Sequence, residues 1–336
     1  MSNIKRKSEL SFEEYKDGIL SGDRSVLSQA ITLAESTLPK HSELAQSIIS
    51  SCLPNTGNSI RVGITGIPGV GKSTFIETFG LYLTKQEKRK VAVLAIDPTS
   101  ERSKGSILGD KVRMEKLSQD KNAFIRPSPT SGSLGGVAKS TRETILLCEA
   151  AGFDTIIIET VGVGQSEIAV DSMVDFFLLL LLAGAGDEIQ GMKRGIMEMA
   201  DVVAITKADG ENIVRAKQAK REFDSALQLF PPKDGGWIPQ VTTCSSIENT
   251  GITEIWETVI QHHELMKEHG ILEKKRKEQA RKWMHEAILL GLEQSFYSTG
   301  NIVKSISDLE QEVVDGQKSP FAAADELLNS YFKKHS

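Results

Sequence analysis

The chain has 336 residues, 39% of them hydrophobic and 25% charged, an ordinary globular composition sized for about two domains or one α/β core with helical additions. A formal net charge of -5 argues against nucleic acid as the main partner. Cys52, Cys148 and Cys244 are scattered, with no CxxC or Cys/His cluster, which suggests neither a disulfide framework nor a zinc site and reads as reduced thiols in a cytoplasmic protein.

Lys5, Arg6 and Lys7 are followed by Glu9, Glu13 and Glu14 rather than by an apolar stretch, so neither a secretory signal nor a transit peptide fits. Residues 11–55 read as a small helical layer. Ser11 and Glu14 form a capping box, Asp23 caps a second helix, and a third runs from Ser42 to Cys52. Strands are then expected over 60–65, 91–96, 154–159, 175–183, 201–206 and 239–244, with helices between them. That alternation predicts an α/β fold, a mostly parallel sheet with helices on both faces. Ligands bind such sheets beyond the carboxyl ends of the strands, so the residues closing each strand matter most.

The first strand runs into Gly66-Ile67-Pro68-Gly69-Val70-Gly71-Lys72-Ser73-Thr74 and then a helix-forming run. Strand, glycine-rich turn and helix in this order are what a phosphate-binding P-loop requires. Its backbone N–H groups and the helix N-terminus face an anion. Lys72 supplies a mobile charge for β/γ-phosphates, and the Ser73 hydroxyl is a ligand for Mg²⁺. The second strand ends in Asp97-Pro98, which reads equally as a Mg²⁺ group or as an Asp-Pro turn. Asp110, after the polar loop from Ser103, reads either as a metal group on loop closure or as a helix-start acid; for Arg113 a solvated surface cation is favoured over a phosphate contact. The Gly/Ser-rich stretch 127–136 reads as a surface loop or a wall of the site.

Glu159 closes the third strand, the place of a carboxylate that holds Mg²⁺ directly or through water. Gly162 follows where a backbone N–H can approach a γ-phosphate, and Gln165 is a candidate for orienting water. The leucine run 176–183 is far short of the ~20 residues that span a bilayer and reads as a buried central strand, so no membrane partner is expected. The glycine-rich stretch 184–195 reads as a loop and helix start or as a nucleotide-responsive partner contact. Thr206-Lys207-Ala208-Asp209 resembles the base-reading element of GTPases, whose carboxylate accepts from guanine and penalises adenine. Ser245, Ser246 and Ile247 stand where backbone groups contact the base. Beyond Gly251 the chain is helical over 251–269, 271–297, 301–315 and 319–333. The basic run from Lys274 to Lys282 reads as a solvated face, and the stripe Trp283, Ile288, Leu289, Leu292 and Phe296 as a packing surface, for a second subunit among the options.

Taken in series, these motifs closely resemble the MeaB/ArgK-type family of GTPase chaperones for adenosylcobalamin-dependent acyl-CoA mutases. The stretch from Glu159 to Glu167 is the most specific part of the likeness, which covers nearly the whole chain. The resemblance implies an N-terminal helical extension (1–57), a P-loop NTPase G domain (58–268) and a C-terminal helical dimerisation arm (269–336). It implies slow GTP hydrolysis to GDP and phosphate, accelerated by the mutase, that gates cofactor loading and protects or reactivates the mutase, with Ser73, Asp97, Asp110 and Glu159 around Mg²⁺. It also implies a homodimer, and a switch at 184–195 that touches the mutase. Thr206 stands where the family usually has Asn, which points to weaker base binding with guanine preference retained through Asp209. Ile67 stands where dimer-activated relatives carry a lysine. The alternatives are a P-loop protein kinase or ATPase linked to amino-acid transport, for which no Arg-rich lid is evident, and a metallochaperone GTPase, for which only Cys52 lies near the N-terminus.

Overall fold

The computed structural model describes residues 10–96, 114–127, 134–160, 166–184 and 194–335. Asp97, Asp110, Arg113, Gly162, Gln165 and most of the glycine-rich stretches at 127–136 and 184–195 lie outside the described residues. The chain forms two compact units, one ending at Gln279 and the other comprising Ala280–Ser336.

The first unit opens with α1 (Phe12–Leu20), α2 (Arg24–Ala34) and α3 (Pro39–Cys52). The capping box at Ser11 is present, and the Asp23 carboxylate accepts from the N–H groups of Ser25 and Val26. The third helix begins earlier than its first polar residue suggested, because Pro39 suits the first helical turn, where its missing N–H goes unused. There follow β1 (Ile60–Gly66), α4 (Lys72–Lys85), β2 (Val91–Ile96), α5 (Glu115–Ser118), β3 (Ala123–Arg126), α6 (Leu134–Ala150), β4 (Thr155–Thr160), α7 (Ser166–Asp171), β5 (Phe176–Leu182), α8 (Arg194–Met199), β6 (Val202–Thr206), α9 (Ile213–Leu227), β7 (Gln240–Thr243) and α10 (Ile252–Glu268). α11 (Ile271–Ser298) runs on into the second unit, where α12 (Gly300–Val314) and α13 (Pro320–His335) follow.

The seven strands lie in the order β3-β2-β4-β1-β5-β6-β7, and all described pairings are parallel. The six anticipated strands are present within a residue or so of their expected ends. The strand β3 is additional: Ala123-Phe124-Ile125-Arg126 is too short to show a period, and it forms because β2 offers it an open edge. The leucine run is explained by burial on both faces. Leu178 and Leu180 enter the core with α4 and α10, while Leu179 and Leu181 enter a second core with α8 and α9. The N-terminal helices α2 and α3 cover α6, and the Arg126 guanidinium pairs with Glu35 just beyond α2.

The basic run on α11 is not wholly a solvated face. Arg276 donates from Nε and Nη2 to the Asp175 carboxylate at 2.9 and 2.6 Å, and to the Ser59 carbonyl at 2.6 Å. Beside it Arg61 makes two bonds to Glu149, at 2.9 and 3.0 Å. Burial raises the Asp175 pKa, but Arg276 and Arg61 more than offset this and hold it below its ordinary value. This network braces the amino ends of β1 and β5, opposite the ends where ligands bind.

Also at the amino ends, His262 of α10 is caged edge-on by Phe176 and Trp237, with centroids 5.1 and 4.9 Å away. Burial pulls its pKa from 6.5 to about 4, with Asp201 and Asp175 opposing the fall and Lys275 and Lys233 adding to it. The unfolded chain therefore takes up this proton first as pH drops. The stability His262 contributes is full above 6.5 and is lost as pH falls toward about 4, about 3 kcal/mol at full loss. Urea midpoints of the wild type should fall across that window, and His262→Gln should flatten the profile. Superimposable profiles would exclude His262 as the source. No helix among the described residues is long and apolar enough to cross a membrane.

Candidate functional site

The register of the sheet sets the site. Ile64 of β1 pairs with Glu159 of β4, and Gly66 pairs with Leu180 of β5, so the phosphate loop rises between the two strands. A Cβ on Gly66 would lie 2.5 Å from the Leu180 carbonyl, which makes glycine obligatory where the chain leaves the sheet. Gly71, at φ 98°, then turns the chain into α4, whose first residues are Lys72, Ser73 and Thr74. Pro68 and Gly69 are exposed on the crest while Val70 is buried beneath it.

The Lys72 ammonium is curled into the loop, donating to the carbonyls of Gly66 at 2.6 Å and Ile67 at 3.4 Å. Burial lowers its pKa, with Glu159 and Glu167 opposing. An anion entering the loop would favour the charged form and draw the ammonium off these carbonyls. Ser73 Oγ donates to Glu159 Oε1 at 3.4 Å, and Glu159 is only 4% exposed. Beneath the loop the Thr65 and Thr160 hydroxyls are 2.8 Å apart, joining β1 to β4. Thr160 and the buried Glu167 lie within the stretch 159–167, yet the motif assigns no role to either, nor to Thr65. The signal was polar residues in otherwise apolar strand ends and at a helix start.

A hydroxyl and one carboxylate suit a hard cation. Among the described residues no three His, Cys, Asp or Glu side chains converge on a metal position. The oxygens of Ser73 and Glu159 are of the kind Mg²⁺ takes, since it is ordinarily held by one or two protein oxygens, water and substrate phosphates.

The segment that leaves β6, residues 206–209, is fastened to this loop by two consecutive side chains. Thr206 Oγ1 donates to the Val70 carbonyl at 2.8 Å and lies 3.1 Å from the Leu181 carbonyl. Lys207 Nζ donates to the Gly69 carbonyl at 2.9 Å. The hydroxyl of Thr206 thus ties β6 to the phosphate loop without the amide of an Asn. Thr206 is buried, so Thr206→Val would leave the Val70 carbonyl short of a donor at a cost of about 1–3 kcal/mol. Nucleotide titration should show roughly fivefold or greater weakening for that variant, and near wild-type affinity for Thr206→Ser. Equal affinities for the Val and Ser variants would exclude the hydroxyl as the link.

Asp209 is oriented from β7. Ser245 Oγ, fully buried, donates to Asp209 Oδ2 at 2.5 Å and accepts from the Glu248 N–H at 3.1 Å. The Ser246 carbonyl accepts from Thr78 Oγ1 of α4 at 3.2 Å, which holds the β7 loop against the helix that follows the phosphate loop. Ile247, at the tip of that loop, is 79% exposed. The structure therefore brings together Gly66–Thr74, Glu159, Lys207, Asp209 and Ser245–Ile247 at the carboxyl ends of β1, β4, β6 and β7.

Residues 27–300 match the family described as Methylmalonyl Co-A mutase-associated GTPase MeaB. The chain belongs to this family. It is 49% identical over 310 residues to a probable GTPase of Mycobacterium tuberculosis, covering 92% of each chain. It is 48% identical over 328 residues to the mitochondrial methylmalonic aciduria type A homolog of Mus musculus, covering 95% of this chain and 79% of that one. A crystal structure titled LAO/AO transport system kinase matches with TM-score 0.74 and 35% identity, covering 98% of this chain and 100% of that one. This MeaB-family member is a P-loop GTPase, and its sheet and phosphate loop are those of the P-loop NTPase fold.

Proposed function

We propose that this chain binds Mg²⁺–GTP, hydrolyses it to GDP and phosphate, and uses the cycle to act as a chaperone for an adenosylcobalamin-dependent acyl-CoA mutase of the methylmalonyl-CoA type. The observation that carries the nucleotide assignment is Asp209, whose carboxylate is fixed by Ser245 beside a phosphate loop bolted to the same strand. Adenine offers no matching donor pair, so it would leave that carboxylate without the two donors that guanine supplies. The mutase assignment is supported by the family description and by the mouse relative's name.

In this reading the backbone N–H groups of 66–73 and the Lys72 ammonium cradle the polyphosphate and offset charge as it builds on the transferred group. Ser73 and Glu159 would hold Mg²⁺, which when bound supplies charge neutralisation for the polyphosphate. Asp97 and Asp110 belong to the same metal proposal, the Gly162 N–H to the γ-phosphate and Gln165 to the attacking water. The stretch 184–195, leading from β5, is proposed as the output that partner and nucleotide both contact.

A homodimer through the second unit is part of the proposal. Ile288, Leu289 and Leu292 are each about half or more exposed, beside a groove of about 460 Å³ lined by Phe296, Leu328 and Phe332. The domain limits 1–57, 58–268 and 269–336 and a cytoplasmic location belong to the same reading. A pull-down of the full chain with a non-hydrolysable GTP analogue tests the partner. Recovery of an acyl-CoA mutase is expected with the analogue and not with GDP. Recovery of none in either state, from cells that make one, overturns it. The transport-kinase title of the solved relative sets the rival outcome: phosphate from GTP or ATP found on a protein or small molecule.

A further inference from the structure

Lys207 is one of three described non-glycine residues with positive φ, at 53°, a left-handed conformation that side-chain-bearing residues seldom adopt. It sits within the base-reading element, where such backbone geometry must be held by its neighbours. Its own ammonium holds one side through the Gly69 carbonyl. The other side is held by Asn212, whose Nδ2 donates to the Lys207 carbonyl at 2.7 Å.

Asn212 ends a short 3-10 turn, Gly210–Asn212, that runs directly into α9, and its own backbone is already helical. Its side chain makes no capping bond to α9 and is free to serve another group. Its amide turns back to Lys207, while its backbone N–H donates to the Asp209 carbonyl at 3.0 Å. One residue thereby grips both ends of the segment Lys207-Ala208-Asp209. The middle is fixed by the Ala208 N–H, which donates to the Cys244 carbonyl at 3.0 Å.

We propose that Asn212 is a positioning residue for the base subsite: it locks the left-handed turn at Lys207 and so sets the direction in which the Asp209 carboxylate is presented. The inference rests on the reading of Asp209 as the guanine-binding carboxylate. It gives this chain a determinant of guanine specificity outside the four-residue motif.

The test is calorimetric titration of GDP and of ADP into the full-length chain as wild type, Asn212→Ala, Lys207→Gly and the double variant, with thermal melts as a check on folding. Asn212→Ala should weaken GDP binding roughly three- to tenfold, the loss of one hydrogen bond. It should narrow the ratio of GDP to ADP affinity. In the Lys207→Gly background glycine takes the left-handed turn unaided, so adding Asn212→Ala should cost less than about twofold. A GDP affinity unchanged by Asn212→Ala, an equal loss for both nucleotides, or an equal cost in both backgrounds overturns the proposal. A wild type that does not prefer GDP to ADP overturns the guanine reading itself, before any variant is compared.

Discussion

Asp209→Asn should weaken GTP binding by roughly 10²–10⁴-fold, because two charge-assisted hydrogen bonds at about 1.5–3 kcal/mol each are lost or inverted. The same change should turn preference toward xanthine nucleotides. Xanthine carries an oxygen where guanine carries its amino group, and an asparagine amide can donate to it. The structure favours a clean result. Ser245 Oγ faces Asp209 Oδ2, and a hydroxyl can donate to an amide oxygen as well as to a carboxylate. The replacement side chain therefore keeps its orienting partner. Competition binding with GTP, ATP and XTP reads the outcome. Unchanged GTP affinity with no gain for XTP would remove Asp209 from the base subsite.

Lys72→Ala should lower GTP turnover by at least roughly 10²–10³-fold, the scale seen when one preorganised donor is removed from developing charge. The fold should survive. Among the described residues the ammonium donates to carbonyls of its own loop, at Gly66 and Ile67, and burial already lowers its pKa. Losing it removes a desolvated charge rather than a buttress of the sheet. Single-turnover hydrolysis together with a thermal melt separates the two effects. Wild-type turnover in the variant would refute the phosphate role. A collapsed melting temperature would instead make Lys72 structural.

Much of this was legible in the sequence because the signals were local. The P-loop is a contiguous string whose glycines answer to one strand and one helix, and Glu159 and Asp209 each close a strand that reads plainly as buried. Pairing Ile64 with Glu159 then put the carboxylate beside Ser73, as the strand-end argument expected. What escaped was what the sheet assembles from distant positions. Thr65 meets Thr160 only through the β1–β4 register, and Arg276 reaches Asp175 across 101 positions. A basic run on a long helix gives no sign which of its charges is drawn inside. Strand β3 has only four residues and depends on a neighbour. Nothing in the sequence singles out Asn212; only the left-handed turn at Lys207 shows what its amide serves.

The central claim is that guanine-nucleotide turnover by this chain answers to an acyl-CoA mutase. The most direct measurement is the steady-state rate of GTP hydrolysis by the full-length protein, alone and with a purified adenosylcobalamin-dependent methylmalonyl-CoA mutase at saturating concentration. Hydrolysis is expected to be slow alone and accelerated by the mutase, with no acceleration of GTP hydrolysis in Asp209→Asn. A rate indifferent to the mutase, with phosphate from GTP recovered on a protein or small-molecule acceptor, would contradict it.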